Sequence, residues 1–227
     1  MNGTYRLGWS VGRFIFFCTM RVHVIRPEAA RREGAYLLAS THLGNLDPFL
    51  LAVVLNRPID WITRVEFYRS APIAWVLSRL NTIKVRRFGV PVSAIRTAIA
   101  RLQNGRVVGI CPEGGVCKGP LSCMKGGPIK RGVGLIAYRS GAPVLPVAII
   151  GADRLNRVSP WLPAKRAQLW VAFGERVIEP RLDLDRKAAR EAMARELEAE
   201  YARLFGELSR EFGLTEEALG TADPLPR

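Results

Sequence analysis

His42, one of the chain's two histidines, stands five residues before Asp47 in the stretch Ser40-Thr41-His42-Leu43-Gly44-Asn45-Leu46-Asp47-Pro48. A histidine in reach of a carboxylate has the parts of a general base and the group that orients it. On one continuous helix, positions five apart point roughly 140° away from each other, so the two can meet only in a turn. The flanking residues supply one. Tyr36-Leu37-Leu38-Ala39 reads as a short buried strand, and Asp47-Pro48 reads as an N-cap and first residue of a helix through Leu55. Gly44 loosens the chain between them. The result is half of a triad without its nucleophile. Taken alone, the same residues also fit a plain helix cap and a surface histidine, and what favours chemistry is the set of motifs downstream.

Two further constellations carry charge or carboxylate at strand ends. Thr82-Ile83-Lys84-Val85-Arg86-Arg87 reads as a strand closing on paired arginines, whose planar forks suit an anion such as phosphate. A solvated surface pair is the alternative. Val107-Val108-Gly109-Ile110-Cys111 reads as a strand running into Pro112-Glu113-Gly114-Gly115. There the proline fixes the chain, the glycines admit a ligand close to the backbone, and Glu113 is held between them. An ordinary tight turn with an exposed glutamate is the alternative. Gly132-Val133-Gly134-Leu135-Ile136-Ala137 fits a dinucleotide pattern by letter, but Lys130-Arg131 stands where a buried strand should, so it reads as a helix start. No GxSxG elbow and no Walker A loop occur. Cys18, Cys111, Cys117 and Cys123 form no CxxC pair, which leaves reduced thiols and no metal site as the expectation.

The elements that must position these residues alternate between strand-like and helix-like runs, so the fold class is α/β: a single domain with a mixed sheet flanked by helices. The helical runs include Pro72 to Leu80, Val92 to Leu102 with Val92, Ile95, Ile99 and Leu102 on one face, and a charged helix capped by Asp185 that reaches about Phe212. The last carries Met193, Leu197, Tyr201, Leu204 and Leu208 as its packing stripe. Gln168 to Gly174 reads as a late strand. Leu7 to Met20, with Phe14-Ile15-Phe16-Phe17 at its centre, falls short of the roughly 20 residues that span a bilayer. It suits an interfacial helix, or one that simply packs on the domain. The chain thus divides into residues 1–30 as an amphipathic membrane-associating region, 31–213 as the main domain, and 214–227 as a disordered tail. Trp161-Leu162-Pro163 is either an interfacial tip or a packed loop. Across 227 residues, 34 Lys and Arg against 20 Asp and Glu give a formal net charge of +14, which calls for an anionic partner without naming it.

Taken together, the motifs resemble the glycerolipid acyltransferase family typified by bacterial 1-acylglycerol-3-phosphate acyltransferase. His42 to Asp47 matches its His-x4-Asp block, Ile83 to Arg87 its second block ending in a substrate-binding arginine, and Pro112-Glu113-Gly114 its third. Ala142-Pro143-Val144-Leu145-Pro146-Val147-Ala148-Ile149 matches the fourth. The blocks keep the family's order over roughly residues 35 to 150. Three departures stand out: Asn81 where the family has Gly, Arg86 where it has Asp, and Gly115-Val116-Cys117 where it has Thr-Arg-Ser. An arginine that helps hold phosphate in the family is thus missing at Val116, with Arg86, Lys118, Lys125, Lys130 and Arg131 as nearby substitutes.

The resemblance implies a glycerol-3-phosphate acyltransferase-like fold and transfer of a fatty acyl group to a lysophospholipid hydroxyl, with 1-acylglycerol-3-phosphate as the leading acceptor. The donor would be acyl-CoA or acyl-acyl carrier protein, with no other cofactor and no metal. His42 and Asp47 would be catalytic, and Arg86, Arg87, Glu113, Gly114 and Gly115 would bind substrate, with backbone amides near the two glycines stabilising the oxyanion. The expected partners are an anionic membrane surface, the lyso-lipid and the acyl carrier, with no nucleic acid, and the expected place is peripheral, on the cytoplasmic face of the membrane. Two alternatives stay open: an acyltransferase for another lyso-lipid such as a lyso-aminolipid, and a non-catalytic basic protein on the same scaffold binding membrane or nucleic acid.

Overall fold

In the computed structural model, which describes residues 18, 20–44, 46–55, 57–86, 91–152 and 167–220, the alternation resolves into a three-layer α/β arrangement. The strands are β1 (Met20–Ile25), β2 (Tyr36–Ser40), β3 (Ile59–Arg64), β4 (Ile83–Val85), β5 (Val107–Ile110), β6 (Val144–Ile150) and β7 (Ala167–Phe173). The helices are α1 (Asp47–Leu55), α2 (Ala71–Arg79), α3 (Val92–Gln103), α4 (Gly132–Ser140) and α5 (Arg186–Phe212), with short 3-10 turns between. The strands form one mixed sheet in the order β1-β7-β6-β2-β5-β3-β4. From β6 to β4 all neighbours are parallel, β7 is antiparallel to β6, and β1 runs parallel to β7.

The period-2 alternation of strand side chains divides the core between the two faces of this sheet. Leu37, Ala39 and Val108 point to the face covered by α3, α4 and α5. Tyr36, Leu38, Val107 and Leu145 point to the face covered by α1. Both β2 and β6 are buried along their whole length, which is why their sequences are apolar apart from Ser40. Their function is to hold the turn after β2 rigidly, and truncating Leu37 or Leu145 to Ala should cost about 2–5 kcal/mol.

Several expectations need correction. The sheet begins at Met20, so residues 20–30 belong to the domain and not to a separate N-terminal helix region. Met20, Val22 and Val24 join the core on alternate positions, and β1 pairs with β7 from Met20 opposite Ala167. Residues 7–17 and 19, which carry nearly all of the expected interfacial helix, lie outside the described residues, as do Arg87, Trp161-Leu162-Pro163 and residues 221–227. The chain from 214 to 220 is folded and not disordered: Leu219 is fully buried, Leu214 and Ala218 pack on the core, and Lys125 pairs with Glu216 at 2.5 Å. On α3 the buried face is Ala94, Ala98 and Leu102, while Ile95 and Ile99 are partly buried and Val92 is exposed. Small alanines allow the helix to lie close to the sheet, and a reading by large apolar residues alone misplaces that face. The α5 stripe from Met193 to Leu208 is buried as its spacing predicts.

Candidate active site

Because β2, β5, β3 and β4 are adjacent and parallel, the loops that follow them gather at one edge of the sheet. Carboxyl ends of parallel strands are where open α/β sheets place their ligands. Here the His42 turn follows β2, Pro112-Glu113-Gly114-Gly115 follows β5, Arg64 ends β3 and Arg86 follows β4.

The His42 turn is fixed at every point. Thr41 extends β2 by donating its N–H to the Val147 carbonyl at 3.0 Å and accepting the Ile149 N–H on its hydroxyl at 2.9 Å. His42 Nδ1 and Asp47 Oδ2 are 3.0 Å apart. The same Oδ2 accepts the N–H groups of Leu43 at 2.8 Å and Gly44 at 2.9 Å. Asp47 is therefore the first residue of α1 rather than its cap, and its carboxylate reaches back over the turn. An oxygen that already accepts two amides must accept from the imidazole too, so the proton sits on Nδ1 and the lone pair of Nε2 is left for chemistry. No group among the described residues bonds Nε2, and the His42 side chain is 16 % exposed. Burial pushes the Asp47 carboxyl up, while its bonds to His42, Gly44 and Leu43 pull it back down. Its second oxygen, Oδ1, is buried without a partner.

Glu113 takes a different place from the one the sequence suggests. It is buried, and both of its oxygens are committed to the protein: Oε2 accepts the main-chain N–H of His42 at 2.7 Å, and Oε1 accepts the Cys123 N–H at 2.9 Å and the Ser122 hydroxyl at 3.2 Å. Burial raises its carboxyl, against the pull of those donors. Cys117 closes the circuit by donating its N–H to the His42 carbonyl at 2.9 Å. The loop after β5 thus grips the His42 backbone on both sides.

Gly114 and Gly115 are approached by the protein's own cations. Gly114 has φ +78, and a Cβ there would meet the Lys130 stem at 3.3 Å. A Cβ on Gly115 would stand 2.4 Å from Arg64 Nη2. The Gly114 N–H is spent on the Cys111 carbonyl at 3.0 Å, so it is no oxyanion donor, whereas the Gly115 N–H has no acceptor among the described residues.

Arg64 is the residue that sequence reading passed over. Its Nη2 donates to the Gly114 carbonyl at 2.7 Å, which places a guanidinium at the edge of the His42 turn. Arg86 is exposed just after β4, three strand spacings from β2, about 14 Å, against two spacings for Arg64. The signal that could have found Arg64 is its position as the last residue of a strand in the same parallel set. Cys111, Cys117 and Cys123 also line this region, and in each burial is the main cause that pushes the thiol up, with Glu113 adding to it. Thiols so raised are poor nucleophiles at neutral pH.

The profile of a family described as Acyltransferase matches residues 21–150. A 1-acyl-sn-glycerol-3-phosphate acyltransferase of Bacillus subtilis (strain 168) is 30 % identical over 131 residues, 57 % of this chain and 63 % of that protein. A probable 1-acyl-sn-glycerol-3-phosphate acyltransferase of Mycoplasma pneumoniae is 22 % identical over 156 residues, 65 % of this chain and 55 % of that one. This chain therefore spans less than two thirds of either relative. Among solved structures, the 1-acyl-sn-glycerophosphate (LPA) acyltransferase PlsC from Thermotoga maritima shares the fold, with a TM-score of 0.58 and 22 % identity over 87 % of this chain and 80 % of that one.

Proposed function

Since the chain belongs to the Acyltransferase family, we propose that it moves a fatty acyl group from a thioester, acyl-CoA or acyl-acyl carrier protein, to the free hydroxyl of a lysophospholipid in phospholipid biosynthesis. The acceptor proposed is 1-acylglycerol-3-phosphate, the substrate named in its relatives. The single observation that carries the reading is the 3.0 Å contact between His42 Nδ1 and Asp47 Oδ2, which leaves Nε2 as a base.

In the proposed reaction the acceptor hydroxyl gives its proton to His42 Nε2 as its oxygen attacks the thioester carbonyl. Asp47 holds the tautomer and offsets the charge of the imidazolium. The tetrahedral oxyanion is met by the Gly115 N–H, which has no acceptor among the described residues. Collapse breaks the carbon–sulfur bond, and the thiolate leaves with the proton from Nε2. Transfer is direct, because the raised thiols of Cys111 and Cys117 make a poor acyl acceptor. Arg64 takes the acceptor's phosphate in place of the arginine missing at Val116, with Arg86 farther out along the same edge.

The chain works on the cytoplasmic face of an anionic membrane as a peripheral protein. Its charge of +14 supports this, and no helix among the described residues is long and apolar enough to cross a membrane. Single-turnover transfer from a long-chain acyl-CoA to lysophosphatidic acid, read by mass spectrometry, tests the whole reading. His42→Ala should lose at least about 10²-fold in rate. Wild-type activity only with another lyso-lipid would revise the acceptor, and none with any acceptor or donor would leave a binding scaffold.

A further inference from the structure

Between β3 and β4 the chain makes a 3-10 turn, Val65–Arg69, and then α2, and neither contains a single buried residue. Phe67, Ile73, Trp75 and Val76 are 44 %, 47 %, 55 % and 47 % exposed. A helix in a globular domain ordinarily owes its stability to an apolar stripe laid against the core. Here the apolar residues of α2 are turned outward, next to a sheet whose other helices bury theirs. Large contiguous apolar exposure of this kind marks a surface with a partner.

The charges around it choose the partner. From Arg64 to Arg86 the chain carries five cations, Arg64, Arg69, Arg79, Lys84 and Arg86, against the single carboxylate of Glu66. Two of the cations lie over aromatic rings of the same segment: Lys84 Nζ is 4.3 Å from the Tyr68 ring centroid and Arg79 Cζ is 5.2 Å from that of Trp75. Aromatic rings with cations over them, beside aliphatic side chains, suit the depth profile of a bilayer surface, where apolar groups enter the acyl boundary and cations meet phosphates. A second copy of this chain would bring another +14 against these cations.

We propose that Val65–Arg79 is a membrane-docking face, separate from the N-terminal region, which seats on an anionic phospholipid bilayer and delivers the lipid acceptor to the His42 edge. Continuity with the site supports this. Arg64, immediately before the face, donates to the Gly114 carbonyl, and Val116 on the same loop is exposed. A lyso-lipid held at this surface can present its head group to Arg64 without its acyl chain crossing water. The delivery step rests on the acyl-transfer reading, but the docking face does not.

The test uses the full chain with vesicles of phosphatidylcholine and phosphatidylglycerol that carry brominated acyl chains and no lyso-lipid. Bromine quenches tryptophan at bilayer depth, so Trp75→Phe should lose a large part of the quenching seen in wild type. In co-sedimentation, Ile73→Glu/Val76→Glu should bind at least about tenfold more weakly at an unchanged melting temperature, because two side chains no longer enter the apolar boundary. Equal quenching in wild type and Trp75→Phe would overturn the proposal, as would wild-type vesicle binding by the double variant or equal binding to vesicles of phosphatidylcholine alone. A double variant that binds vesicles normally but fails only with acyl-acyl carrier protein would give the face to that acidic donor and overturn it equally. A water-soluble, short-chain lysophosphatidate separates the two readings. If no protein acylates it while the quenching difference persists, acyl transfer falls and the docking face stands.

Discussion

Glu113 and His42 are joined side chain to main chain: the Glu113 carboxylate accepts the His42 N–H at 2.7 Å while its other oxygen holds Cys123 and Ser122. In the proposed reaction, a carboxylate with both oxygens spent in this way positions the base in place of binding the acceptor. Glu113→Gln has one acceptor oxygen for donors that now have two, so one of them loses its partner. The variant should lose about 1–3 kcal/mol of stability and roughly 10–100-fold in kcat from a shifted His42, with the acceptor KM near wild type. Steady-state kinetics read both constants, and a rise in KM at constant kcat would return Glu113 to an acceptor-binding role.

Asp47→Asn separates what the carboxylate does for chemistry from what it does for folding. The amide can still accept the Leu43 and Gly44 N–H groups but no longer selects the Nδ1–H tautomer, so activity should fall on the order of 10³–10⁴-fold. Stability moves the other way with pH. Burial raises the Asp47 carboxyl in the folded state, so the folded chain holds that proton more tightly than the unfolded chain does. The stability it contributes is present below the ordinary aspartate range and is lost as pH rises through the raised folded value. Asn does not titrate. Melting temperatures across a pH series should therefore show wild type losing ground to Asp47→Asn as pH increases, and a gap that narrows on raising pH would contradict the sign.

Much of this site was legible because its parts are local. His42 and Asp47 lie in one turn, and Asp47-Pro48 announces the helix that brings the carboxylate around. The destination of Glu113 was not legible, since Ser122 and Cys123 sit in a loop with no periodicity to place them. Arg64 was hidden for a different reason: only the order β2-β5-β3-β4 puts the end of β3 beside the β5 loop, and sequence order does not give neighbours in a parallel sheet. In β1, the Phe14 to Phe17 run beside it outweighed the alternation of Met20, Val22 and Val24. On α3, burial followed the small residues that permit close packing.

Arg64 should carry the acceptor's charge. Charge-assisted hydrogen bonds of this kind are worth about 1.5–3 kcal/mol, so Arg64→Ala should raise the acceptor KM by roughly 10–100-fold. Arg86→Ala, one strand farther out, should raise it less. Titrating initial rates against lysophosphatidate for both variants checks the order, and a larger effect at Arg86 would move the phosphate site to β4.

Gly115 and Gly109 look alike in sequence and should fail differently. A Cβ at Gly115 meets only the far end of Arg64, at 2.4 Å, and a flexible guanidinium can swing aside. Gly115→Ala should therefore melt near wild type and yet raise the acceptor KM as Arg64→Ala does. A Cβ at Gly109 would stand 2.5 Å from the Trp61 ring, which is buried between β5 and α1 and has nowhere to go. Overpacking of this kind costs about 1–3 kcal/mol or more, so Gly109→Ala should lower the melting temperature with little change in KM for whatever fraction stays folded. Thermal melts run beside the kinetics decide it. If Gly115→Ala instead lost stability at an unchanged acceptor KM, Arg64 would be a strut for the loop after β5 and not the group that meets the phosphate.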